Sequence, residues 1–295
     1  MYGYAKDTTP HIDAWFKNGV IFSNMHTIVP STYPSFVTLM TGLSPFESNI
    51  FSNFDILHST GEDDNRKFQK ITASTPLLAE IFKKNGYKTA AYITNGVLDG
   101  NATGLQRGFD LYRIQGRGFN RENIKGINEL PTNSENKKYK NIVNEAAEWI
   151  QANKSSHFFM WLHIMDPHSP YVPDKEYVCS TNRKYCDQIQ KNGLANLELL
   201  RNSLAGCQKK LLPSEEVEVF ETLYDGAIKS MDRMIGKFLD RLDKENISDN
   251  TIVLLYGDHG EGFDHNVYFE HINDLYNSHT RIPFIIKYPS LEKRK

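Results

Sequence analysis

The chain reads as α/β, with a central, mostly parallel mixed sheet flanked by helices. Three observations carry that expectation. Short apolar runs alternate with amphipathic helical patterns along the whole sequence. The strand candidates are near-continuous apolar runs such as Phe158–Leu162 and Ile252–Tyr256, the pattern of strands covered on both faces. Polar clusters follow directly after three of the apolar runs, where open α/β sheets place their ligands.

In chain order, Asp7, Thr8, Thr9 and Pro10 start a helix that carries Ile12, Trp15 and Phe16 on one face and stops at Gly19. Val20 to Met25 is expected as a strand, and an apolar helix should end near Thr41-Gly42. Thr75-Pro76 opens the next helix, with Leu77, Leu78, Ile81 and Phe82 on its buried face and Gly86 at its end. Thr89 to Thr94 follows as a strand. Ile142, Val143, Ala146 and Ile150 recur at helical spacing within a helix from about Lys140 to Ala152. Phe158 to Ile164 is the most strand-like run. Residues 174–213 are polar, contain all three cysteines and are expected as an insertion or lid. Glu215 to Leu242 is a long amphipathic helix, with Val219, Leu223, Ile228, Met231, Ile235, Phe238 and Leu242 along one stripe. Thr251 to Tyr256 and Ile282 to Lys287 complete the strands. Two polar connections, Asn49 to Lys70 and Gly116 to Lys138, suit loops that set specificity.

Composition narrows the function classes. The 295 residues are 39% hydrophobic and 24% charged, with a formal net charge of −2. No basic surface advertises nucleic acid, and no apolar run reaches the roughly 18 residues that a membrane span needs. Cys179, Cys186 and Cys207 lack zinc-site spacing. Either Cys179 and Cys186 pair, which points to an oxidising, extracytoplasmic compartment, or all three are free thiols.

The first polar cluster is Ser31-Thr32-Tyr33-Pro34-Ser35, at an expected strand-to-helix turn. A hydroxyl there sits near backbone N–H groups and the positive end of a helix dipole, which lowers the cost of an alkoxide; the same pattern also serves as a plain helix cap. The second, His163 to Tyr171, sets His168 between two prolines, where it can hydrogen-bond a substrate or leaving oxygen. The third is Gly257-Asp258-His259-Gly260-Glu261. At a strand end beside two glycines, the Asp258 carboxylate and the His259 imidazole can reach one divalent cation, and that donor pair suits Zn, Mn or Fe as well as Mg or Ca. His265, His271 and His279 add three imidazoles downstream.

In this order the motifs closely resemble the sulfatase family of the alkaline-phosphatase superfamily. Thr9-Pro10-His11-Ile12-Asp13 is similar to the family's T-P-N-I-D. Thr32-Tyr33-Pro34-Ser35 with Leu39-Met40-Thr41-Gly42 resembles C-x-P-S-R followed by L-L-T-G. Gly86-Tyr87-Lys88-Thr89, Arg107-Gly108-Phe109-Asp110, Asp166-Pro167-His168, Tyr224-Asp225-Gly226 and Gly257 to Glu261 match further segments, and Arg281 to Ile286 resembles R-V-P-L-I-I. The resemblance covers nearly the whole chain and implies an alkaline-phosphatase-like sandwich forming one catalytic domain over residues 1–295. It implies Thr32 as nucleophile and, with Asp258 and His259, as a ligand of one divalent cation (Mn, Mg, Ca or Zn). It implies His168 on the substrate oxyanion or leaving oxygen, and His271, with His265 as the alternative, in substrate binding.

Two departures shape the expectation. Family sulfatases oxidise a cysteine or serine to formylglycine; Thr32 cannot supply that aldehyde, and Phe36 stands in place of the supporting arginine. No formylglycine is expected. A formylglycine hydrate expels sulfate by collapsing to the aldehyde, an exit that a threonine sulfate lacks, whereas a threonine phosphate can be hydrolysed or passed on. Phosphate esters, on a small molecule or a polymer, are therefore read ahead of sulfate esters. The alternatives are sulfuric-ester hydrolysis without formylglycine, or a catalytically silent binding module of the same fold. Relatives also carry an acidic metal ligand upstream of T-P-N-I-D and continue past R-V-P-L-I-I, so the chain is expected to be truncated at both ends.

Overall fold

The computed structural model describes residues 2–53, 69–117, 133–168, 171, 173, 176–177, 179, 214–265, 267–268, 271 and 274–289. Eight helices are named in chain order: α1 (Pro10–Trp15), α2 (Thr32–Thr41), α3 (Pro45–Ser48), α4 (Leu78–Lys84), α5 (Gly100–Thr103), α6 (Asn133–Asn153), α7 (Ser214–Lys244) and α8 (Asn277–Thr280). The strands are β1 (Val20–Ile21), β2 (Lys88–Asn95), β3 (Leu111–Arg117), β4 (Phe158–Leu162), β5 (Val253–Tyr256), β6 (Phe263–Asp264), β7 (Val267–Tyr268) and β8 (Phe284–Lys287).

The strands form a parallel sheet in the order β3-β2-β4, an antiparallel sheet in the order β1-β8-β5, and the β6-β7 hairpin. Both strand directions are thus present, but among the described residues the two three-stranded sheets are not joined by a hydrogen-bonded strand pair. β2 shows why its sequence is apolar almost throughout. Ala91 and Ile93 point into a cluster with Tyr33, Val37 and Trp161, while Ala90 and Tyr92 point to the other face, against Ile142, Val143 and Ala146 of α6. Alternate side chains meet opposite faces of a strand, so a strand with helices on both sides needs apolar residues at every position. A third cluster joins α1 to α7 and the antiparallel sheet through Ile12, Phe16, Leu239, Leu242 and Ile285.

Several boundaries differ from expectation. Only Val20–Ile21 of the run to Met25 pairs as strand; Phe22 still donates its N–H to Phe284, and His26 makes an isolated bridge to Arg281. The last strand starts at Phe284 because Pro283 has no N–H to offer a ladder. The helix opened by Thr75-Pro76 begins two residues later, where Glu80 accepts the Leu77 N–H at 2.9 Å. Most of 174–213 and of the 49–70 and 116–138 connections lies outside the described residues. Cys179 is disulfide-bonded, which removes the reading of three free thiols.

Candidate active site

Four segments deliver polar groups to one cleft. Thr32 is the first helical residue of α2, Asn95 ends β2, His163 and His168 follow β4, and Asp258 and His259 follow β5. The site therefore lies at the carboxyl ends of β2, β4 and β5, as open α/β sheets require.

Local structure fixes each group. Thr32 is 3% exposed, at the start of an apolar helix whose Tyr33, Phe36 and Val37 are in the core. The cap of α2 comes from Asn53, whose Oδ1 accepts from the Tyr33 N–H at 2.8 Å and from the Ser31 hydroxyl at 3.0 Å. Ser35, one turn into the helix, donates to the Asp258 carbonyl at 2.9 Å and shares a 2.7 Å bond with the Tyr256 hydroxyl. The helix bearing Thr32 is thus clasped to the turn bearing Asp258. Gly260 permits that turn: its N–H donates to the His279 carbonyl at 2.7 Å, and a Cβ on it would lie 1.9 Å from the Ser278 carbonyl oxygen. The loop after β4 is pinned to β2, where the Thr94 hydroxyl accepts from the Met165 N–H at 2.7 Å and donates to the His163 carbonyl at 3.0 Å.

Thr32 Oγ1 lies 3.3 Å from His259 Nε2, and Asp258 Oδ2 lies 3.5 Å from the same nitrogen. His259 Nδ1 is 2.8 Å from the Gly260 carbonyl. A carbonyl can only accept, so Nδ1 carries the proton and Nε2 offers its lone pair to the cleft. Burial pushes the His259 pKa down, which keeps the ring neutral. Burial would raise the Asp258 pKa, but the imidazoles of His259, His163, His271 and His168 together hold it below its ordinary value. An ionised carboxylate and an imidazole lone pair therefore converge on one point, with a single hydroxyl proton between them. Such a donor set suits a divalent cation. Among the described residues no group of three or more His, Cys, Asp or Glu side chains is placed to hold a metal, so the set here is two such ligands and the Thr32 hydroxyl.

His271 stacks on His259 with ring centroids 3.8 Å apart, and His168 stands edge-on to both, at 5.2 Å from His271 and 6.2 Å from His259. Glu261 Oε1 approaches His271 Nδ1 at 3.5 Å. Burial opposes ionisation of Glu261, yet the His271 contact brings its pKa below the usual value. His265 is not in this group. It sits at a positive φ of 54° in the β6-β7 hairpin, stacked on Tyr276 and paired with Asp264 at 3.1 Å. His279 is fully buried behind the Gly260 turn.

Sequence reasoning missed His163, Asn95 and Glu261 as parts of this cleft. His163 is buried against Phe36, 5.3 Å between centroids, and burial pushes its pKa down to about 4. Its position, one residue past an apolar run and in register with Tyr92, was the available signal.

A nucleophile-bearing helix and a carboxylate–imidazole pair at the strand ends of an α/β sandwich define an alkaline-phosphatase-like ester hydrolase fold. The chain belongs to the Sulfatase family, whose model matches residues 1–295. It is 29% identical to an ulvan-active sulfatase of Formosa agariphila, over 99% of this chain and 54% of that relative, so it spans about half of the relative's length. Among solved structures it resembles the phosphonate monoester hydrolase of Agrobacterium radiobacter, with a TM-score of 0.65, 16% identity, and coverage of 98% of this chain and 64% of that one. It also resembles the C-terminal periplasmic domain of EcEptC from Escherichia coli in complex with Zn, with a TM-score of 0.65, 16% identity, and coverage of 100% and 71%.

Proposed function

We propose that the chain is the core of a divalent-metal-dependent hydrolase or transferase of phosphate esters, with Thr32 as the nucleophile. The observation that carries this reading is the convergence of Thr32 Oγ1, His259 Nε2 and Asp258 Oδ2 within 3.5 Å at the start of α2. Asp258, His259 and Thr32 would hold the cation, with Mn, Mg, Ca and Zn all suited to the donors. Such a cation, when bound, supplies Lewis-acid stabilisation of the ester oxygens and of the Thr32 alkoxide.

The chain's own residues do the rest. Thr32 is held by the packing of Tyr33 and Phe36, and the N-terminal end of α2 favours negative charge on its oxygen. Attack forms a bond from Oγ1 to phosphorus and breaks the bond to the leaving alcohol. His168 and His271, turned toward His259, are the groups that hand the alcohol its proton. Glu261 orients His271 through Nδ1. Water, or a second alcohol, then takes the phosphoryl group from Thr32.

Phosphorus is favoured over sulfur on chemical grounds. Thr32 has no primary carbon to become formylglycine, and Phe36 packs with Trp161 and His163 where an arginine would stand. The sulfuric-ester reading keeps one support, the ulvan-active sulfatase among the relatives. The disulfide at Cys179 favours an extracytoplasmic setting. Among the described residues no helix is long and apolar enough to cross a membrane.

The test compares release of p-nitrophenol from its phosphate monoester, phosphate diester and sulfate, with each cation in turn. Diester or monoester cleavage that drops by about three orders of magnitude or more in Thr32→Ala is the expected result. Turnover that survives Thr32→Ala removes the threonine from the mechanism. Sulfate cleavage alone would reverse the preference, and inactivity with every cation would favour a binding module.

A further inference from the structure

Asn95 is the last residue of β2 and 6% exposed, yet it lines the same cleft as Thr32, Asp258 and His259. Its carboxamide has a defined orientation. The Val97 N–H donates to Oδ1 at 3.0 Å, capping the turn at Gly96–Leu98. Only the amide oxygen can meet an N–H, so Nδ2 with its two hydrogens takes the other side. Among the described residues nothing accepts from Nδ2. Nor is that nitrogen sealed in protein, as His279 Nε2 and Gln106 Oε1 are; it opens on the cleft.

A turn cap needs only an acceptor, and aspartate or serine serves equally well. The amide adds what neither offers, a neutral donor next to a carboxylate and an imidazole lone pair. A buried donor without a partner costs of the order of 1–3 kcal/mol, so a ligand acceptor has a large effect there.

We propose that Asn95 Nδ2 donates a hydrogen bond to a non-bridging oxygen of the tetrahedral oxyanion ester held over Thr32. This deepens the ester-hydrolase reading and rests on it. The neutral amide grips an anionic oxygen and keeps the same strength across pH. The ligand class is a phosphate or sulfate group, bound with the cation that Asp258 and His259 would share.

The test reads affinity instead of turnover. Binding of inorganic phosphate to the chain in the presence of Mn is measured by calorimetry for wild type, Asn95→Asp and Asn95→Ser, with melting temperatures alongside. Asn95→Asp keeps the acceptor for Val97 and the side-chain shape, but it loses both donors and adds a negative charge. We expect its phosphate affinity to fall about ten- to a hundred-fold with little change in melting temperature. Asn95→Ser, which stays neutral, should lose less. Phosphate affinity within about two-fold of wild type in both folded variants overturns the inference, and so does a folded wild-type chain that binds no phosphate. The two failures are separable. Turnover that survives Thr32→Ala sinks the nucleophile assignment while an affinity loss in Asn95→Asp stands.

Discussion

At the residue scale, His163 couples the site to pH through the fold. Its ring lies between Phe36 and Trp161 and shares the Thr94 hydroxyl at 3.3 Å. Burial lowers its folded-state pKa to about 4 from an ordinary 6.5, so the fold holds the neutral ring. A depressed value means that the full contribution to stability is present above pH 6.5 and drains away as pH falls toward 4. Across that window the loss amounts to roughly 3 kcal/mol. Urea unfolding of wild type and His163→Phe at about pH 7 and about pH 4.5 measures it. The wild type should lose more stability than the variant on acidification, and parallel losses would show that the ring's titration does not matter. The sequence gives no warning of this. His163 reads as the tail of an apolar run, and its environment comes from Phe36, 127 positions earlier in the chain. Thr32, Asp258 and His259 were legible because each sits inside a local motif that carries its own turn. His265 and His271 could not be separated by spacing. The left-handed backbone at His265 turns it to Tyr276, while His271 reaches back to His259.

At the element scale, the entry to α1 depends on a residue from a distant helix. Thr9 occupies the N-cap but makes no side-chain cap bond, and its hydroxyl goes to Asp13 instead. The orphan N–H groups of His11 and Ile12 are met by the two carboxylate oxygens of Asp232 on α7, at 3.0 and 2.8 Å. Asp232 is 1% exposed, so losing it leaves two donors unpaired in a buried place. Asp232→Ala should cost about 2–4 kcal/mol, and Asp232→Asn, which keeps one acceptor, less. Chemical denaturation of the three proteins decides it. Equal stability would mean that water takes over the cap. Helical periodicity identified both α1 and α7, but it could not join them, because a cap spanning 220 residues leaves no trace in local pattern. The same limit explains β1. Val20 to Met25 has the composition of a strand, yet pairing stops at Ile21, where the partner β8 is itself cut short by Pro283.

At the scale of the molecule, the candidate site lies between the two sheets. Asn95 and His163 belong to the parallel sheet's strand ends, Asp258 and His259 follow the antiparallel sheet's β5, and Thr32 rides on α2. Among the described polar contacts, the Ser35 clasp is what ties α2 to β5. Apolar periodicity had predicted strands covered on both faces, but it carries no strand direction, so the split into a parallel and an antiparallel sheet was not legible. A cation held by Thr32, Asp258 and His259 would add a second tie across the same seam and also relieve the convergence of the carboxylate with the Nε2 lone pair. Binding to the folded state alone adds about 2.7 kcal/mol of stability at a hundred-fold excess over the dissociation constant. For a chain of this size that corresponds to a melting temperature higher by roughly 5–10 °C. Thermal scans with Mn or Zn, then with a chelator, should show the rise and its reversal. Asp258→Asn leaves the shape of the turn but removes the charge, so its melting temperature should not respond to the ion. A rise of equal size in Asp258→Asn would put the cation elsewhere on the chain and leave Thr32 without the charge that its alkoxide needs.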